Sequence, residues 1–170
     1  MRGISAEYAR LNSALHESNA AYGTSSSKWV EHVRMLAQAF GCRSILDYGA
    51  GKGLLSREIP LVKNYDPAID EWAGEPEPAD MVVCTDVLEH VEPEYLHEVL
   101  DHLSELTNKV AFLTVATRPA QKTLADGRNA HLIVEGAEWW LPQIMERFKI
   151  REFRDGGGEF LVIAEARHEH

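Results

Sequence analysis

Residues Ser44–Gly53, SILDYGAGKG, place three glycines at alternate positions directly behind a short apolar run. A glycine inside a regular element costs roughly 0.5–1 kcal/mol relative to alanine, so this spacing marks a turn that needs positive φ or close approach to the backbone. Ser44–Tyr48 reads as a strand and Leu54–Ile59 opens a helix, making the whole a strand–turn–helix. Main-chain N–H groups at such a turn can reach a ligand. A phosphate-cradling loop needs Ser or Thr after its lysine, yet Gly53 follows Lys52. The dinucleotide fingerprint needs its third glycine one residue later, where Leu54 stands. The pattern left is Gly-x-Gly-x-Gly with an acid, Asp47, two residues before the first glycine.

The flanking chain alternates strands with helices. Ala6–Ala20 is helix-compatible, and YGTSSSKW (Tyr22–Trp29) reads as a loop. A helix then runs to Phe40 with an apolar stripe of Val30, Val33, Leu36, Ala37 and Phe40, and Gly41 stops it. Further strands are expected at Leu61–Tyr65, Met81–Thr85 and Val110–Ala116, and helices at Tyr95–Leu106 and Glu138–Phe148. A hairpin about DGGG, pairing Ile150–Arg154 with Phe160–Ala164, closes the chain. This order predicts an α/β fold with an open, mainly parallel, doubly wound sheet and a C-terminal antiparallel hairpin. The 170 residues fit one domain, with 1–40 as a helical lid and 41–170 as the core. Ligands of such sheets bind beyond the carboxyl ends of the strands. Asp47–Gly53, Asp66, Thr85–His90 and the Thr117–His131 loop are therefore expected on one rim.

The acid-x-Gly-x-Gly-x-Gly turn resembles the first motif of the class I S-adenosylmethionine-dependent methyltransferases. The resemblance extends to Asp66 at the end of the second strand, to DMVVCTDVLEHVEP (Asp80–Pro93) and to the closing hairpin. It implies a Rossmann-like methyltransferase fold with S-adenosylmethionine as cofactor. By the same resemblance, Asp47, Tyr48, Gly49, Gly51, Asp66, Pro67, Thr85, Asp86 and Val87 surround that cofactor. The chemistry agrees: Asp47 can accept from the ligand's ammonium, directly or through water, while one carboxylate such as Asp66 can accept from both hydroxyls of a ribose diol. Only about a dozen residues join Asp66 to the next strand, so the family's outer edge strand and its helices are expected to be missing. Trp72, within that connection, either covers the adenine by stacking or plugs the bare edge. YGTSSSKW is the expected lid, most of its hydroxyls serving as helix caps.

DVLEHVEPE places Asp86, Glu89 and His90 beside the glycine turn. It resembles an element of ubiquinone-pathway O-methyltransferases and of small-RNA terminal 2′-O-methyltransferases. In the latter the resemblance implies a divalent metal, for which Asp86, Glu89, His90 and His131 are the candidate ligands here. The alternative is metal-free: Asp86, His90 and His131 as catalytic residues, His90 serving as base and His131 as hydrogen-bond partner, and Glu89 as a cap. In the long loop TRPAQKTLADGRNAHL, Arg118, Lys122 and Arg128 suit an acceptor's phosphate or carboxylate, and Asn129 can orient a hydroxyl or amide. Of Trp139 and Trp140, one is expected in the core and the other beside the acceptor.

These residues predict an enzyme that transfers a methyl group to an oxygen or nitrogen of a small, anionic acceptor, as a monomer or homodimer. The alternatives are an RNA 2′-O-methyltransferase and a non-catalytic cofactor-binding module. A net charge of −10 repels phosphodiester backbones and disfavours nucleic acid. Cys42 and Cys84 are far apart and suggest neither a disulfide framework nor a zinc cage. No apolar run approaches a membrane span and no signal-peptide stretch opens the chain, so a cytoplasmic location is expected. EARHEH at the end reads as a flexible tail.

Overall fold

The computed structural model describes residues 3–22 and 25–167. Gly23 and Thr24 of the expected lid, and His168–His170 of the expected tail, lie outside the described residues. Six strands form one sheet: β1 (Ile45–Tyr48), β2 (Val62–Tyr65), β3 (Ala79–Thr85), β4 (Thr107–Ala116), β5 (Phe148–Asp155) and β6 (Glu159–Ala166). Their order is β2-β1-β3-β4-β6-β5. β2, β1, β3 and β4 run parallel, and β6 and β5 pair antiparallel at the far side. β3 reads Met-Val-Val-Cys at its centre because both its faces are covered, and those four residues are fully buried.

Of the five α-helices among the described residues, four cover the two faces. α2 (Val30–Ala39) and α3 (Leu54–Glu58) pack on one, where Val33, Leu55, Ile45 and Phe112 meet. α4 (Leu96–Leu106) and α5 (Ala137–Met145) pack on the other, where Leu100, Leu103, Trp140 and Phe148 share a larger cluster. α1 (Ala6–Ser18) lies above the carboxyl ends of the parallel strands, over the cavity described below. α2 was expected within a lid of residues 1–40, but its apolar stripe makes it a layer of the core. The α5 boundary also differs. The helix stops at Met145 rather than Phe148, since Phe148 pairs with Ala166 in the hairpin and is fully buried there.

The sheet ends at β2, as the short connection implied. Between Asp66 and β3 the chain makes a single 3₁₀ turn, Asp70–Trp72. Beneath this edge Tyr48, Tyr65 and His102 pack as an aromatic trio, with Tyr48 Oη 3.0 Å from His102 Nδ1. Large rings thus fill space that a further helix would otherwise occupy. Among the described residues no helix is long and apolar enough to cross a membrane. Leu100, fully buried between α4 and the sheet, is a sensitive probe of this packing. Leu100→Ala should lower unfolding free energy by about 2–5 kcal/mol in urea denaturation.

Candidate functional site

The rim expected from strand ends is a single cavity of about 600 Å³. Its floor is Tyr48–Gly51, Asp66–Pro67 and Thr85–Val87, and its far wall is Glu89–Glu92 with Ala130 and His131. The glycine turn and the end of β2 are tied together. Gly49 and Ala50 donate their N–H groups to Tyr65 O at 2.7 and 3.1 Å. Asp66 Oδ2 accepts from Gly51 N at 2.9 Å, and Oδ1 accepts from Ala68 N at 2.9 Å. Both carboxylate oxygens keep a lone pair for a ligand. Gly49 needs to be glycine twice over: its φ is +79°, and a Cβ there would lie 2.4 Å from Val87 Cγ2. A Cβ on Gly53 would lie 2.7 Å from Trp72 Cη2, so Trp72 seals the outside of the turn and stays out of the cavity wall.

Asp47 lies behind that wall rather than in it, 2% exposed, with Oδ2 lacking any hydrogen-bond partner among the described residues. Burial, then the negative charge of Asp66, raise its pKa to about 7. Glu89 is fully buried. Its Oε1 accepts from Ala116 N at 3.0 Å and its Oε2 has no partner among the described residues. Burial, then Asp86, raise the Glu89 pKa to about 8. Asp86 is the one non-glycine residue with positive φ among the described residues, +54°. Its N–H is held by Thr114, at 3.1 Å from Oγ1 and 3.2 Å from the carbonyl oxygen. A left-handed aspartate held this way at a cavity wall is local strain of the kind found at ligand sites. Among the described residues none of Asp47, Asp66, Asp86 or Glu89 forms an ion pair with lysine or arginine.

The two histidines are held alike. His90 Nδ1 is 2.7 Å from Ala130 O, and His131 Nδ1 is 2.6 Å from Arg118 O. A carbonyl only accepts, so each Nδ1 carries the proton and each Nε2 keeps a free lone pair. The rings meet edge to face with centroids 4.8 Å apart. Burial, then His131, lower the His90 pKa to about 4. One ligand atom each from Glu89, His90 and His131 lie within 4.8 Å of one another, a spacing that can close around a cation. Asp86 is not part of that group.

The acceptor-side expectations divide. Arg118 and Lys122 line the cavity. Arg128 does not: its guanidinium is drawn to Asp126 across the loop turn, with Nε to Oδ2 at 2.7 Å. Asn129 is spent inside the loop. It bonds Ala120 through both amide atoms at 2.9 Å and accepts from His131 N. Trp140 is core, whereas Trp139 is 38% exposed and outside the cavity. An N-terminal lid was expected, with Tyr22 and Ser26 in it, but the residues that α1 contributes were not singled out. Tyr8, Asn12 and His16, spaced four apart on one face of α1, line the cavity with Tyr22 and Ser26. Tyr22 Oη donates to Asn12 Oδ1 at 2.9 Å, and Lys122 Nζ stands 5.6 Å from the Tyr22 ring centroid. Only the spacing four apart could have signalled this face.

Asp47 makes the free protein's stability pH-dependent. Its folded pKa lies above the unfolded value near 4, so the folded state holds a proton that the unfolded state has released. Stability from this group falls as pH rises from about 4 to about 7. Asp47→Asn should flatten that part of the profile in thermal denaturation, leaving wild type relatively less stable at pH 7 than at pH 4.

The chain's relatives agree with this geometry. The methyltransferase domain family matches residues 8–155. No curated protein matches the sequence. Among solved structures, the N-methyltransferase NodS from Bradyrhizobium japonicum WM9, in complex with S-adenosyl-L-homocysteine, superposes with a TM-score of 0.60 at 13% identity, over 93% of this chain and 100% of that one. Magnesium protoporphyrin IX methyltransferase from Synechocystis PCC 6803 gives 0.56 at 20% identity over 83% of each chain. An O-methyltransferase family protein from Burkholderia thailandensis gives 0.57 at 12% identity, and this chain, 95% covered, spans 64% of its length. With a glycine turn, a strand-end carboxylate and a family match across most of its length, the chain belongs to the methyltransferase domain family.

Proposed function

We propose that this protein binds S-adenosylmethionine in the large cavity and transfers its methyl group to an oxygen or nitrogen of a small, anionic acceptor. The observation that carries the reading is the pairing of the glycine turn with carboxylates that form no ion pair with lysine or arginine among the described residues. Buried carboxylates without a cation are costly, and a ligand bearing a sulfonium and an ammonium supplies the missing charge. When bound, S-adenosylmethionine supplies an electrophilic methyl group. Asp66 accepts from the ribose hydroxyls with the lone pairs left by Gly51 and Ala68. Asp47, beneath the turn, draws the ammonium, directly or through water. Gly49 and Gly51 bring backbone to the methionyl end, with Tyr48, Pro67, Thr85, Asp86 and Val87 closing around the rest.

The acceptor enters on the side of His90, His131, Arg118 and Lys122. The two cations hold its anionic group, and His90 Nε2 takes the proton from its nucleophilic atom. A low pKa keeps His90 neutral and ready to accept at neutral pH. A second reading is favoured by the spare Oε2 of Glu89 beside two Nε2 lone pairs. Glu89, His90 and His131 would hold a divalent cation, which would acidify an acceptor hydroxyl. Both Nδ1–H groups donate to main-chain carbonyls, as metal-bound imidazoles commonly do with their other ring nitrogen.

Calorimetry and turnover test these roles. S-adenosylmethionine should bind the wild type, and Asp66→Ala should weaken binding about a hundredfold, the worth of two charge-assisted hydrogen bonds of ~1.5 kcal/mol each. His90→Ala should leave that binding intact and slow turnover of anionic hydroxyl or amine acceptors by about 10²–10⁴. Turnover of RNA in preference to every small acceptor would refute the acceptor class. Loss of activity on chelation, restored by one divalent ion, would select the second reading.

A further inference from the structure

The adenosine end of the cavity lacks the wall that an outer strand would give, because the sheet stops at β2. α1 stands there instead. Its N-terminus is fastened to the β3–α4 connection, where Glu92 accepts from Ser5 N at 2.8 Å and Ser5 Oγ at 2.7 Å. Its C-terminus is fastened to the glycine turn, where Lys52 Nζ donates to His16 O at 3.2 Å and Asn19 O at 3.0 Å. A cation that satisfies the last carbonyls of a helix fixes that end in place. His16 is therefore held beside the glycine turn, lining the same cavity as Gly51.

His16 is 9% exposed, and its Nδ1 has no hydrogen-bond partner among the described residues. The ring stands edge-on to Tyr22, centroids 4.6 Å apart, which sets its plane. It lines the large cavity together with Asp66 and Gly51. It also lines a second hollow of about 400 Å³, bounded by Lys52 and Ala68–Glu71, so it forms the partition between the two. Both Asp66 and Lys52 are near enough to act on its charge, and burial keeps the ring neutral. A neutral imidazole nitrogen held in this way beside a diol-binding carboxylate has a defined use. When a ribose diol gives both protons to Asp66, its oxygens still need a donor, and no Asp66 atom can provide one.

We infer that His16 is a donor-binding residue whose Nδ1–H hydrogen-bonds a ribose hydroxyl of the cofactor held by Asp66. The inference rests on the cavity being the S-adenosylmethionine site. By this contact α1 takes over the covering role that a longer sheet would give to loops beyond β2.

The test uses the full chain and calorimetric titration with S-adenosylhomocysteine and its 2′-deoxy and 3′-deoxy counterparts. His16→Ala should weaken S-adenosylhomocysteine binding about tenfold, the scale of a lost neutral hydrogen bond with a buried group left unsatisfied. One deoxy analogue should bind wild type and His16→Ala equally, since the partner hydroxyl is already gone. His16→Asn, whose amide nitrogen reaches the Nδ1 position, should recover most of the loss, which also guards against a variant that merely folds poorly. Equal binding of S-adenosylhomocysteine by wild type and His16→Ala would overturn the inference. So would the same loss for all three ligands, which would make His16 a packing residue of α1. Failure of the wild type to bind S-adenosylhomocysteine at all would instead remove the donor assignment beneath it.

Discussion

The Asp66 carboxylate is the joint on which the site depends. It accepts one N–H from the turn after β1 and one from the turn after β2, at 2.9 Å each. Two strand ends that are adjacent only through the sheet are thereby locked to each other at the point where a ligand must sit. The glycines follow from that lock. With Gly49 and Ala50 drawn onto Tyr65 O, the turn has room for φ of +79° and +53° at Gly49 and Gly51 and no room for a Cβ against Val87. Their entropy cost is offset by a backbone surface that a side chain would block.

Around this joint the protein concentrates negative charge and unsatisfied polar atoms. Asp47 and Glu89 are each buried with a free oxygen, and the hydroxyls of Tyr8 and Ser26 are buried without partners at the roof. Native interiors keep such atoms rare, and here those of Tyr8, His16, Ser26 and Glu89 belong to residues that line one cavity. A second cluster, Glu89 with the imidazoles of His90 and His131, lines the same cavity.

The sequence was most legible at strand ends. Alternation and the fully apolar β3 fix which residues leave the sheet at its carboxyl edge, so Asp66, Thr85, Asp86 and His90 converge as their positions implied. The short link after Asp66 likewise announced the bare edge. Three things were hidden. Tyr8, Asn12 and His16 are polar-tipped residues on a weakly amphipathic helix, and nothing local reveals that a cavity lies beneath them. Arg128 and Asn129 looked like ligand-binding groups, yet the Asp126–Gly127 turn brings intraloop partners within reach first. Asp47 has the right spacing to the glycines but packs one layer deeper, a distinction of side-chain direction that spacing does not encode.

The way the imidazoles are anchored has a consequence for how this enzyme can change. His90 follows β3 and His131 closes the segment after β4, yet both rings take their orientation from main-chain oxygens of that same segment, Ala130 and Arg118. Arg118 and Lys122, which face incoming molecules, sit on it too. Reshaping this stretch to welcome a different molecule would swing both reactive nitrogens at once. In the proposed reaction, selectivity and proton removal would therefore be inherited together, and new acceptors would be most readily gained by altering side chains there while the path of the backbone stays fixed.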